Sequence, residues 1–261
     1  MATVGIMDSG IGGLSVLKEI LKLLPSEKYI YFSDNANCPY GEKSPEFIRG
    51  RCRSITSYML SRGADAMVLA CNTATAAAIE CLRKEFSIPF VGMEPAVKPA
   101  ALHTRSGVIG VLATAGTLKG SKYLDTKGRY TSEVKIAEHV GKGFVELVES
   151  GELDGPHAES VVGESLRPLL ESGADTIVLG CTHYPFLLDA LRKAAGPGVE
   201  FIDPAPAVAR RLKDVLEKSG IPTGNDREAG TELLSSGSPE ALKRGYALME
   251  GRTAPATTLI I

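Results

Sequence analysis

The sequence predicts an α/β protein of two similar domains, each a mostly parallel sheet flanked by helices. Three observations lead there. Short apolar runs alternate with amphipathic stretches along the chain, and strands that alternate with helices form parallel sheets covered on both faces. GADAMVLACNT at 63–73 is echoed by GADTIVLGCTH at 173–183, and each copy precedes a helix containing Leu-Arg-Lys, at 82–84 and 191–193. The chain has 261 residues, 44% of them hydrophobic, enough for one large core or two ordinary ones.

The elements follow in order. TVGIM at 3–7 reads as a buried strand, and LSVLKEILKLL at 14–24 has helical spacing. YIYFS at 29–33 is a second strand. Residues 45–62 read as a helix with Pro45 suited to its first turn. AMVLA at 66–70, the helix 74–86 and IPFVG at 88–92 complete the first half. VIGVLA at 108–113 and VKIAE at 134–138 are strands, and 144–150 and about 156–171 are helices. TIVLG at 176–180, LLDALRKA at 187–194 and VEFID at 199–203 read as strand, helix, strand. A helix over 206–218, a loop over 219–229, a strand in GTELLSSG, a helix at 239–250 and an edge strand in TTLII close the chain. A weaker echo links VGIMDSG to IGVLATAG at 109–116. The repeat spacing is too long for a solenoid. It implies two facing units, 1–97 plus 207–261 and 98–206.

Composition removes several function classes. Charge is balanced, 29 Lys+Arg against 31 Asp+Glu, which leaves no general footprint for nucleic acid or an anionic membrane. Trp is absent, so a base-stacking platform is a poor fit. No apolar run approaches membrane-spanning length, and MATVGIMDSG lacks the charged start of a signal peptide. Five cysteines, odd in number and without a Cys-x-x-Cys pair, point to a reducing cytoplasm.

Cys71 and Cys181 occupy the same place in the two repeats, each just past a buried strand, in Cys-Asn-Thr and Cys-Thr-His. A helix start there offers free N–H groups and a positive dipole end, which favour a thiolate and lower its pKa. Taken singly, each cysteine also reads as a buried core thiol. Repetition favours chemistry: a pseudo-twofold arrangement sets two thiols on opposite sides of one cleft. Stereoinversion at carbon needs that. One base removes a proton from one face, and the conjugate acid of the other returns one to the opposite face. A competing reading is a metal-dependent hydrolase with zinc on Cys181, His183 and Cys71.

The resemblance becomes specific with five segments in order: Asp8-Ser9-Gly10-Ile11-Gly12-Gly13-Leu14; Asp34 with Pro39-Tyr40-Gly41; Ala70-Cys71-Asn72-Thr73-Ala74; Glu94-Pro95-Ala96-Val97-Lys98-Pro99-Ala100; and Gly180-Cys181-Thr182-His183-Tyr184-Pro185. Together they resemble the glutamate racemases of the aspartate/glutamate racemase superfamily over nearly the whole chain. The resemblance implies an active site between two α/β domains, no cofactor and no metal. It implies interconversion of L- and D-glutamate, with D-glutamate passing to peptidoglycan.

It also implies roles. Cys71 and Cys181 are the bases. Asp8 orients Cys71 or handles the substrate ammonium, and Ser9 sits beside it. Pro39, Tyr40 and Gly41 bind the side-chain carboxylate, Tyr40 through its hydroxyl. Asn72, Thr73 and Thr182 are polar donors for the substrate, and Thr114 and Thr117 are further threonines of the second domain. His183 supports the second thiol. Glu149 is its acidic partner, with Glu146 as the alternative, because Gly141-Lys142-Gly143-Phe144 stands where a Cys-Pro pair commonly precedes the Phe. From the residues alone, the Gly-rich turn after Asp8 reads as an anion cradle, and the Asn and Thr residues as helix caps. Cys38 reads as a loop thiol near the cleft, Cys52 and Cys81 as helix packing residues. Rival readings are an aspartate racemase and a regulatory binding protein, since some relatives restrain DNA gyrase. The sequence leaves open the oligomeric state, monomer or homodimer.

Overall fold

The computed structural model describes residues 1–224, 230–251 and 253–261. The last part of the expected 219–229 loop therefore lies outside the described residues. The first half runs β1 (Thr3–Asp8), α1 (Leu14–Leu23), β2 (Lys28–Ser33), α2 (Pro45–Ser61), β3 (Ala66–Leu69), α3 (Asn72–Glu85), β4 (Phe90–Gly92) and α4 (Val97–His103). The second runs β5 (Val108–Ala113), α5 (Ala115–Leu118), α6 (Ser121–Tyr130), β6 (Lys135–Val140), α7 (Phe144–Ser150), α8 (Gly155–Glu171), β7 (Thr176–Gly180), α9 (Leu188–Ala195) and β8 (Glu200–Ile202). The chain ends with α10 (Ala205–Lys218), β9 (Thr231–Ser235), α11 (Glu240–Glu250) and β10 (Ala256–Thr258).

These form two parallel sheets. One has six strands in the order β10-β9-β2-β1-β3-β4, the other four in the order β6-β5-β7-β8. The central strands are buried along almost their whole length: β1 from Val4 to Asp8, and all of β7. That follows from helices on both faces. In the larger sheet one face packs on α1, α10 and α11 and the other on α2 and α3. α1 shows why: Leu14, Leu17 and Ile20 fall on one stripe and are buried. In the smaller sheet, α8 and α9 cover one face and α4 and α6 the other. The helix α10 packs against α1, so the chain returns to the larger sheet before β9.

Three helices stand where the sequence reading placed none. α4 is short, α5 is a single turn, and α6 buries only Tyr123. A helix so polar carries almost no periodic apolar signal. TTLII contributes an edge strand as expected, but only Ala256–Thr258 pair with β9.

Matched strands end in matched places. Asp8 closes β1, and Cys71 follows β3 beside it. Thr114 follows β5, and Cys181 follows β7 beside it. Carboxyl ends of parallel strands are where such folds bind ligands.

Candidate active site

The two thiols begin from one sequence pattern and end in different local structures. Cys71 is the N-cap of α3. Its carbonyl accepts from Thr75 N at 2.9 Å, and its Sγ accepts from Ala74 N at 3.4 Å. At the other site the residue four places on is Pro185, which has no N–H to give. The turn tightens instead, and Tyr184 N donates to the Cys181 carbonyl at 3.1 Å. A 3₁₀ turn over Tyr184–Leu187 follows, and α9 begins only at Leu188. Cys181 therefore does not cap an α-helix, contrary to the sequence reading. The Cys71 thiol is also not depressed. Burial and the Asp8 carboxylate outweigh the Ala74 N–H and push its pKa up to about 12.

Asp8 is fully buried. Its carboxylate accepts from Gly10 N at 2.7 Å and from the Thr182 hydroxyl at 3.0 Å. Burial lifts its pKa to about 6, against the opposing attraction of His183 and the Gly10 N–H. The Cys71 thiol donates to Ser9 Oγ at 3.9 Å.

The second thiol has basic company. His183 Nδ1 lies 3.8 Å from Cys181 Sγ, and its Nε2 lies 2.7 Å from Glu149 Oε1. Burial opposes a charge on His183, but Cys181, Cys38 and Glu149 together lift its pKa well above the usual imidazole range. Burial likewise works against the Glu149 carboxylate. The His183 contact, the Ile11 N–H and the Cys38 thiol outweigh it and hold Glu149 below the usual range. Glu146, the alternative partner, is exposed. The edge-to-face contact of Phe144 with Tyr184, centroids 4.9 Å apart, fixes α7 against the Cys181 turn and so sets Glu149 on His183. Such a pair contributes about 0.5–1.5 kcal/mol.

Two N–H groups of the Gly-rich turn are taken by the protein's own carboxylates: Gly10 N by Asp8, and Ile11 N by Glu149 at 2.7 Å. Glycine is required for close approach. A Cβ on Gly10 would stand 1.9 Å from Glu149 Oε1.

The remaining residues line one cavity between the two sheets: Ser9, Pro39, Tyr40 and Gly41, then Cys71, Asn72 and Thr73, facing Thr114, Thr117, Cys181, Thr182 and His183. Thr73 Oγ1 lies 2.9 Å from Thr114 Oγ1, which lies 3.0 Å from Thr117 Oγ1. Both amide atoms of Asn72 are buried with no partner, as a group awaiting a polar ligand would be. Tyr40 differs from expectation. Its hydroxyl donates its one proton to Asp34 at 2.6 Å. Arg51 holds the same carboxylate through Nε at 2.9 Å and Nη2 at 2.7 Å. Arg51 had no signal in the sequence, because it belongs to no motif and meets Asp34 only through the packing of α2. Cys52 is buried in α2, and Cys81 is half-buried on α3.

The zinc set expected of the hydrolase reading is not assembled. Among the described residues, the Cys/His/acid trio with ligand atoms within 4.8 Å of one another is Cys38, Glu149 and His183.

Duplicated parallel α/β units with a thiol from each in one polar cavity define a class, the amino-acid racemases. Residues 4–212 match the Asp/Glu/Hydantoin racemase family. The glutamate racemase of Ectopseudomonas mendocina is 47% identical over 97% of this chain and 96% of its own. The solved glutamate racemase isoform RacE1 of Bacillus anthracis superposes with TM-score 0.87 at 30% identity, covering 99% and 97% of the two chains. That of Escherichia coli, solved with L-glutamate and the activator UDP-MurNAc-Ala, gives TM-score 0.86 at 34% identity, covering 99% and 98%. The chain belongs to the Asp/Glu/Hydantoin racemase family, among its glutamate racemases.

Proposed function

We propose that this racemase interconverts L- and D-glutamate without a cofactor, using Cys71 and Cys181 as opposed proton-transfer groups. The observation that carries the reading is that both sulfurs line one cavity, at the ends of equivalent strands in the two sheets. Asn72, Thr73, Thr114, Thr117 and Thr182 are the donors proposed for the substrate carboxylates. Two carboxylates need several donors, and the unpartnered Asn72 amide is placed first among them. Asp8 is the group for the ammonium. Ser9 shares the Cys71 thiol. Pro39 and Gly41 offer backbone in the cavity wall.

In this scheme the substrate-free Cys71 is a thiol, held so by burial and Asp8. It is the acid when the Cys181 thiolate removes the α-proton, and His183 Nδ1 is the group that takes up or returns the Cys181 proton. Glu149 orients the His183 ring through Nε2. In the opposite direction Cys71 is the base, with Asp8 beside it. The α-proton is far less acidic than a thiol, so positioning, exclusion of water and fixed dipoles must stabilise the carbanion.

The free space among these residues is about 20 Å³, room for about one water. Glutamate does not fit, so the two units part to admit it and close around it. We propose 1–97 plus 207–261 and 98–206 as the moving units. D-glutamate then supplies peptidoglycan synthesis in the cytoplasm. In support of that setting, no helix among the described residues is long and apolar enough to cross a membrane.

Circular dichroism of L- or D-glutamate, incubated with the protein and no added cofactor, tests the reading. Optical activity decays to zero from either side, and aspartate is turned over far more slowly. Cys71→Ser and Cys181→Ser each nearly abolish the decay. Near-normal racemisation by either variant ends the two-thiol scheme.

A further inference from the structure

The turn between β2 and α2 brings Cys38 to the back of the Glu149–His183 pair. Cys38 Sγ lies 3.9 Å from Glu149 Oε1, which itself lies 2.7 Å from His183 Nε2. All the ligand atoms fall within 4.8 Å of one another. A thiol, an imidazole nitrogen and a carboxylate are the donor set of a tetrahedral zinc-type site with one open position. Bond lengths of about 2.0 to 2.3 Å hold tetrahedral ligand atoms roughly 3.3 to 3.6 Å apart. The two measured distances fall on either side of that window, so entry of an ion requires the His183–Glu149 contact to open by roughly 0.6 Å and the Cys38 sulfur to close on Glu149 by roughly 0.3 Å. Glu149 keeps 21% of its side chain exposed, which leaves an approach from solvent.

We infer that Cys38, Glu149 and His183 form a binding site for a thiophilic divalent cation, whose occupancy stops the enzyme. The geometry explains both halves. Cys38 has no part in the proton transfers proposed above, yet its thiol faces the pair that serves Cys181. An ion bound at Nε2 leaves the ring's single proton on Nδ1. The face of His183 turned to Cys181 then has no lone pair to accept the Cys181 proton. The carboxylate is drawn to the ion as well, so the ring loses its partner. No bond to carbon forms or breaks, and the ion displaces the Cys38 thiol proton and the His183 Nε2 proton to solvent as it binds. This site differs from the Cys71–Cys181–His183 set, since it uses the opposite ring nitrogen and neither of the two proposed bases. The inhibitory half rests on the role proposed for His183, whereas the binding half does not.

Cobalt(II) added to the full-length protein reads the binding directly. A thiolate-to-cobalt charge-transfer band appears in the near ultraviolet. It persists in Cys71→Ser, Cys181→Ser and Cys81→Ala and is lost in Cys38→Ala. Zinc titrated into the racemisation assay inhibits the wild type, and Cys38→Ala raises the half-inhibiting concentration at least about tenfold, each variant normalised to its own metal-free rate. Absence of the band, or its survival in Cys38→Ala, overturns the site. A Cys38-dependent band without any zinc inhibition overturns the silencing. If the metal-free protein racemises nothing, the proposed function fails, while the cobalt spectrum still decides the site.

Discussion

Gly12→Ala is the smallest change that should disable the site while leaving the fold in place. Gly12 does not sit in the left-handed region of backbone space, so the added methyl brings no backbone strain. Its effect is purely steric. The new Cβ would stand 2.3 Å from His183 Nδ1 and 2.6 Å from Thr182 Oγ1. Non-bonded atoms settle at about 3.5 Å, so the ring must retreat by roughly 1 Å. His183 is 2% exposed and is held on its far side by Glu149, so the retreat opens the domain seam or breaks the 3.8 Å approach to Cys181. A misplacement of about 1 Å costs about 10²-fold in rate. Overpacking costs about 1–3 kcal/mol of stability. Initial rates by circular dichroism from both enantiomers, with a thermal melt of the same sample, separate the two losses. Gly50→Ala is the control. Gly50 lies inside α2 with nothing within 4 Å of its would-be Cβ, and Ala there stabilises by about 0.5–1 kcal/mol at unchanged rate. Wild-type rates from a folded Gly12→Ala protein would refute the contact between Gly12 and a working His183.

Two further outcomes are expected. Asp8, with its pKa raised from 3.8 to about 6, binds more protons folded than unfolded between those values, so its contribution makes stability fall as pH rises from about 4 to 6. The ceiling is about 3 kcal/mol. Asp8→Asn removes that slope in urea melts across the window and lowers racemisation sharply, and an unchanged slope contradicts the assignment. Tyr40→Phe loses the bond to Asp34 and about 1–2 kcal/mol of stability, while KM for glutamate stays close to wild type. A large rise in KM would restore the sequence-based role of the Tyr40 hydroxyl.

The strand–helix alternation and the repeat were legible because buried parallel strands and amphipathic helices write themselves as apolar runs. TIVLG and FVELVES were bounded to the residue. What the sequence hid was of another kind. α6 is too polar to signal. Arg51 reaches Asp34 only through tertiary packing, and no spacing rule joins residues 17 apart on different elements. The partners of the Gly-rich turn were not legible, because a DSGIGG string describes backbone freedom and not what presses against it. Here it is Glu149 and His183, contributed by the other half of the chain. The positions of the two thiols were legible, and their electrostatics were not, since a pKa depends on neighbours that the fold supplies.

That last gap bears on the chemistry. The repeat invites the view that two equivalent bases serve two mirror-image directions. The structure gives the two proposed bases unequal settings: Cys71 caps a true α-helix beside a carboxylate, and Cys181 rides a proline-tightened turn beside an imidazole held by Glu149. Equivalence is not needed. Enantiomers have equal free energies in water, so the equilibrium constant is one, and the ratio of kcat/KM in the two directions is fixed at one whatever the bases are. Both directions cross the same barriers in reverse order. Asymmetry in the thiols therefore appears only in how kcat and KM divide for each enantiomer. A site with a protonated Cys71 at rest has one direction poised and must exchange protons before it can run the other. Under the proposed mechanism, the free protein accepts either substrate only if the two thiols return to their starting protonation between turnovers, the task proposed for Asp8 and His183. Their placement, one against each sulfur and both out of bulk water, is what a two-way enzyme built from unequal halves requires.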